Sequence, residues 1–220
     1  MLLKGDCFQI FNLINDKGVD VTFTSPPYNR KRNDKYTDYN DNIEDYYSFL
    51  VELTEILLRK TKRHVIINLQ ANYYNRKDVY KFMGTYADKI QNVIVWEKNN
   101  PTPASGNSIT NAYEYFIVLG DETLKSNTTY TKNHITTSVC KNAYSKIHKA
   151  VMNEEVSDWF IEKFTQDNDV VLDPFMGLGT TGISCKKFNR HFVGIEKSSE
   201  YFNIAYKRLK NFDTEKEKSA

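Results

Sequence analysis

Cysteine, proline and tryptophan are scarce in this chain of 220 residues, and so is any excess of charge. Its three cysteines, Cys7, Cys140 and Cys185, are unevenly spaced and form no CxxC pair. That pattern supports neither a disulfide framework nor a structural zinc centre, and fits a reducing compartment. No apolar run approaches the roughly 18 residues of a membrane span, and Met1-Leu2-Leu3-Lys4-Gly5-Asp6 lacks the hydrophobic core of a signal peptide. A soluble, cytoplasmic protein is expected. The net charge of +2 excludes a uniformly basic coat, so any pull on phosphates must come from local clusters. Arg30, Lys31, Arg32 and Lys35 form one such cluster, and Lys141, Lys146, His148 and Lys149 a second. No internal repeat is present. Tyrosine, by contrast, is abundant at fifteen residues, a surplus compatible with stacking surfaces, although most of these rings are expected in the core or at its rim.

The length suits one α/β domain with an elaborated insert. Short apolar or β-branched runs at 2–4, 19–24, 64–69, 93–96, 115–119, 170–172 and 192–195 read as strands. Those at 93–96 and 115–119 read as antiparallel neighbours. Helical spacing of apolar residues predicts helices over 8–14, 45–60, 154–164, 181–188 and 199–210. Residues 121–147 are polar, rich in Thr, Asn and Lys and without clear period, and are the expected target-recognition insert. On this reading 1–120 is one half of the domain and 148–212 the other, with a frayed tail at 213–220.

Chemistry concentrates at the ends of two predicted strands. After 170–172 comes Asp173-Pro174-Phe175-Met176-Gly177-Leu178-Gly179-Thr180-Thr181-Gly182, then a helix, a strand and Glu196. Glycines let a ligand approach the backbone, the helix start offers free amides to a carboxylate or phosphate, and an acidic residue about 20 positions on can hold ribose hydroxyls. A dinucleotide site would place the first glycine directly after the strand, whereas here Asp173-Pro174-Phe175 intervenes. After 19–24 comes Ser25-Pro26-Pro27-Tyr28. Two prolines stop the strand, Ser25 and the Pro26 carbonyl can accept hydrogen bonds from an amine, and Tyr28 offers an aromatic face.

Taken together, Ser25-Pro26-Pro27-Tyr28, the glycine turn and Asn189-Arg190-His191-Phe192-Val193-Gly194-Ile195-Glu196 resemble the amino-group DNA methyltransferases, in their permuted beta order, with the catalytic signature first. The resemblance extends to Leu2-Leu3-Lys4-Gly5-Asp6, Trp96-Glu97-Lys98 and Asn111-Ala112-Tyr113-Glu114. At His148 the family usually has His-Pro, and this chain has Lys149 instead. The resemblance implies a circularly permuted, Rossmann-like class I methyltransferase sheet using S-adenosyl-L-methionine. Asp6 and His148 would border the cofactor, Asp173 and Phe175 its methionine and sulfonium, and Gly177 and Gly179 would give it room. Thr180 and Thr181 would bond its carboxylate and Glu196 its ribose. Ser25, Pro26, Pro27 and Tyr28 would act on the exocyclic amine of a flipped base, with Ser25 in place of aspartate favouring N4 of cytosine over N6 of adenine. Arg30, Lys31, Arg32, Lys35, Lys141 and Lys146 would contact double-stranded DNA. A small insert leaves room for a homodimer, and a cognate restriction endonuclease is the expected companion.

Other classes are weaker. No Pro-Cys dipeptide supplies a thiol for attack on a cytosine ring carbon, and neither a zinc-deaminase signature nor a Walker loop occurs. Methylation of RNA or of a protein amide, and a silent DNA-recognition subunit, remain as alternatives.

Overall fold

The computed structural model describes residues 1–30, 41–139 and 151–219. Along the chain lie β1 (Leu2–Lys4), α1 (Cys7–Ile10), a 3₁₀ turn (Phe11–Leu13), β2 (Val19–Thr24), α2 (Tyr46–Lys60), β3 (Thr61–Leu69), α3 (Arg76–Thr85), β4 (Ile90–Lys98) and β5 (Tyr113–Leu119). They are followed by β6 (His134–Thr137), α4 (Glu154–Phe164), β7 (Val170–Asp173), α5 (Thr180–Lys187), β8 (His191–Glu196) and α6 (Ser199–Ser219).

All eight strands join one sheet in the order β1-β8-β7-β2-β3-β5-β4-β6. β5 is antiparallel to both neighbours, and every other pairing is parallel. Both faces are covered, as a mainly parallel sheet requires. Along β3, Val65, Ile67 and Leu69 enter one core with Leu50, Leu53 and Leu57 of α2 and Val79 and Phe82 of α3. Ile66 points the other way, into a second core with Phe160 and Phe164 of α4, Cys185 of α5 and Leu209 of α6. The alternation is the period-two geometry of a strand.

Connections leave β7 towards β8 on one side and β2 towards β3 on the other, so the order reverses between β7 and β2. At such a switch point a crevice opens beyond the strand ends. The register Val21↔Val171 and Thr22↔Leu172 brings Thr24 and Asp173 out side by side. The two motifs, remote in sequence, therefore occupy adjoining corners.

Several expectations shift. The helix expected over 8–14 is one α turn followed by a 3₁₀ turn. Residues 121–147 are not wholly an insert, because His134–Thr137 pairs in parallel with β4 at the sheet edge. The tail expected to fray from 213 continues α6 to Ser219, since nothing from 212 to 219 is glycine or proline.

Candidate active site

Beyond β2 the chain turns through Ser25, Pro26 and Pro27 into a buried Tyr28. The Tyr28 hydroxyl lies 2.8 Å from Ser25 Oγ and 3.0 Å from Glu114 Oε2, and also bonds Asn68 Oδ1. Ser25 donates to the same Asn68 oxygen at 3.1 Å. Glu114 pairs in turn with Lys98, and both side chains are almost fully enclosed. Burial, with the Glu114 charge beside it, pushes the Tyr28 phenol well above its ordinary pKa, so the hydroxyl stays a donor. The backbone is clamped as well. Asn72 and Asn75 both donate to the Tyr28 carbonyl, Tyr46 to that of Pro27, and Asp41 accepts from the amides of Asn29 and Arg30. Asn29 adopts a left-handed conformation at φ 51°.

At the end of β7, Asp173 is enclosed and accepts three bonds: Thr24 Oγ1 at 2.8 Å, Thr181 Oγ1 at 2.7 Å and the Phe175 amide at 3.1 Å. Even so, burial outweighs them and raises its pKa to about 6. Glu196 accepts from the amides of Gly177 and Ser198, and burial raises it to about 7. Gly177 turns at φ 51° with open space where a Cβ would stand. Gly179 turns at φ 80°, and a Cβ there would press on Ala205 of α6 at 3.1 Å. As the N-cap of α5 it supplies no side-chain cap, so the first-turn amides remain available.

A cavity of about 340 Å³ joins the corners. Of the residues expected at the site, Ser25, Pro26, Pro27, Tyr28, Asp6, Asp173, Phe175, Gly177, Thr180, Thr181 and Glu196 line it. Gly179 lies behind the wall, shaping the bend. Asp6 also caps α1 and pairs with Lys197. Two expectations are modified by the contacts: the Thr181 hydroxyl is committed to Asp173, and Arg30 turns inward. Its guanidinium sits 5.2 Å from the Tyr28 ring centre and bonds Gln70 at 2.7 Å. His148, Lys31, Arg32, Lys35, Lys141 and Lys146 lie outside the described residues.

The sequence reading missed Thr24, Asn68, Asn75, Lys98 and Glu114 as site residues. Glu114 carried a signal, being a carboxylate in the otherwise aromatic and aliphatic run of β5 at a position that is 4% exposed. A buried charge in such a run requires a partner, here Lys98.

Two carboxylates reluctant to ionise face one cavity with open amides, a setting chemically suited to a ligand that carries positive charge and a carboxylate. The serine corner opposite offers acceptors and an aromatic ring. The profile of the N6_N4_Mtase family, described as DNA methylase, matches residues 19–207. The Type II methyltransferase M.HinfI of Haemophilus influenzae is 27% identical over 95% of this chain and 68% of its own length. The PvuII DNA methyltransferase (cytosine-N4-specific) superposes with a TM-score of 0.78 at 16% identity, covering 96% of this chain and 90% of its own. The M1.HpyAVI-SAM complex superposes at 0.71 with 23% identity, over 95% and 98% of the two chains. Both corners of the cavity fall within the matched span, and the chain belongs to the N6_N4_Mtase family of DNA methylases.

Proposed function

We propose that this protein transfers a methyl group from S-adenosylmethionine to the exocyclic amine of a base extruded from double-stranded DNA, with N4 of cytosine preferred to N6 of adenine. The observation that carries this reading is the hydrogen bond from Thr24 to Asp173, which locks the serine corner against the glycine bend over one cavity.

The residues present fit the cofactor. Glu196 would hold the ribose hydroxyls, Asp173 the positively charged methionine portion, Thr180 and the first amides of α5 its carboxylate, with Asp6 and Phe175 bordering the rest. When bound, S-adenosylmethionine supplies a methyl group on a sulfonium, which needs a nitrogen lone pair aligned with the departing sulfur. The chain's part is to present that lone pair. Ser25 directs its own proton at Asn68, which leaves Oγ free to accept an amine N–H, and the Pro26 carbonyl is the second acceptor. Drawing on both N–H bonds localises the nitrogen lone pair. Tyr28, tethered by its hydroxyl, presents its ring to the base. Residues 121–147 apart from the edge strand His134–Thr137 are assigned to target reading, with a second copy supplying further contacts. The chemistry suits modification that protects DNA from a companion restriction endonuclease.

Incubating mixed-sequence duplex DNA with protein and cofactor, followed by hydrolysis to nucleosides and mass spectrometry, is expected to yield N4-methyldeoxycytidine. N6-methyldeoxyadenosine as the product would reverse the base preference alone. Neither product, with RNA or protein methylated instead, would end the DNA reading.

A pH dependence follows from the two raised carboxylates. A cationic ligand binds their ionised forms, so affinity for S-adenosylmethionine is expected to rise between about pH 5 and 8, through about 6 for Asp173 and about 7 for Glu196, with protons released on binding. Calorimetry in buffers of different ionisation enthalpy measures both. A flat profile would remove these carboxylates from the cofactor's charge recognition.

A further inference from the structure

The proposed catalytic arrangement uses Tyr28, while several other tyrosines stand in water. Tyr73, Tyr74, Tyr80 and Tyr113 are 77%, 55%, 54% and 47% exposed. Their elements converge at the catalytic end of the sheet: the loop after β3, α3, and the start of β5. Tyr73 meets Tyr74 edge-on, with ring centres 5.3 Å apart, and Tyr113 meets Tyr115 at the same separation. Asn111 donates to the Ala71 carbonyl and joins the loop before β5 to the loop after β3.

This aromatic rim is held in place. Asn72 and Asn75, on either side of the tyrosine pair, both donate to the Tyr28 carbonyl. The Asn72 amide bonds Asn75 Oδ1 at 2.7 Å, and the Tyr74 amide bonds Asn72 Oδ1 at 2.8 Å. The backbone that carries two large, solvent-exposed rings is thus fixed directly behind the turn that would receive the target base, where burial would otherwise favour tucking the rings away. Positive charge lies beside them: Arg76 is 5.5 Å from the Tyr73 ring centre, and the next residue, Lys77, is exposed.

We propose that Tyr73 and Tyr74 form a stacking platform for the nucleobases beside the extruded target, in a duplex opened at that position. This rests on the DNA-methylation reading above. A base leaving the helix strips its neighbours of a stacking partner, and a rigid aromatic ring replaces that partner whatever the flanking sequence. The neighbouring cations match the phosphates that accompany those bases.

The test compares the full-length wild type with Tyr73→Ala/Tyr74→Ala and Tyr73→Phe/Tyr74→Phe variants on unmethylated, mixed-sequence duplex DNA. Both positions are exposed, and the two variants are expected to melt within about 1 °C of the wild type. The alanine pair is expected to raise KM for DNA at least about tenfold, and the phenylalanine pair to stay within about twofold of wild type. Cofactor affinity and the salt dependence of DNA binding should not move, because no phosphate contact is lost. The platform is overturned if the alanine pair keeps the wild-type KM, or if phenylalanine costs as much as alanine. It is equally overturned if sedimentation shows the alanine pair losing a dimer in step with its rise in KM, which would make the rim a contact between copies. A wild type that methylates no DNA ends the preceding functional reading and the platform with it. An active wild type with indifferent variants ends the platform alone.

Discussion

The Asp173→Asn protein is expected to melt about 5 °C above the wild type at pH 8 without ligand, and to bind S-adenosylmethionine at least about a hundredfold more weakly. Asp173 is enclosed by Thr24, Thr181 and the Phe175 amide, and its pKa stands near 6 because burial penalises the charge. Held ionised at pH 8, it weighs against the empty fold by up to about 3 kcal/mol. An amide keeps the acceptor for Thr24 and turns its nitrogen to the Thr181 oxygen, so the shape survives without the charge. It also removes a negative neighbour that helps to raise Glu196.

The direction with pH is fixed by the raised pKa. The native carboxyl holds its proton more tightly than the unfolded one, so its favourable contribution is complete below about pH 4 and disappears as pH climbs through about 6. The advantage of asparagine should therefore be absent near pH 4 and full near pH 8. Binding moves the opposite way, since losing a buried, hydrogen-bonded charge partner costs roughly 2–5 kcal/mol. Melting curves at both pH values, with calorimetry at pH 8, check both halves. Equal melting temperatures throughout, or unimpaired binding, would show that Asp173 serves only to join the corners.

Glu114→Leu is expected to be the most destabilising single change at the site, by about 3–5 kcal/mol, because it strands Lys98 without its counter-ion. Adding Lys98→Met should restore most of that loss, since an apolar pair can replace a buried ion pair at little cost. Methyl transfer should not return with it. Tyr28 would lack the carboxylate that orients its hydroxyl, and a misplaced ring at the target slows transfer by roughly a hundredfold. Urea denaturation and single-turnover rates on the single and double variants separate the effects. Recovery of rate together with stability would confine Glu114 to holding the fold.

Both corners were readable as consecutive letters because their causes are local. Paired prolines end β2, glycines bend the chain after β7, and each motif carries its own strand. The contact of Asn68 and Glu114 with Tyr28 was not readable that way, although Glu114 stood out as a carboxylate in an apolar run. They reach Tyr28 only through pairing of β3 with β5 in the register Asn68↔Phe116, a choice that no short stretch of sequence announces. The four-residue β6 is a strand because β4 presents an open edge to it, and its own letters, His-Ile-Thr-Thr, have no stronger pattern than the polar segment around them. Helix α3 was missed for a related reason: it buries only Val79 and Phe82, too few points to reveal a helical period. The inward turn of Arg30 depends on Gln70 and on the Tyr28 ring, partners set by the neighbouring strand.

The bond between Thr24 and Asp173 spans 149 positions, and that separation bears on biosynthesis. A ribosome adding roughly 5–20 residues per second leaves β2 waiting roughly 7–30 s for β7 to emerge. In that interval β3 can shield one flank of β2, while the flank destined for β7 stays open as an unpaired edge, the kind of surface on which nascent chains misassociate. The catalytic letters are translated early, yet a chain released before the glycine bend would carry them idle, with nowhere to seat a methyl donor.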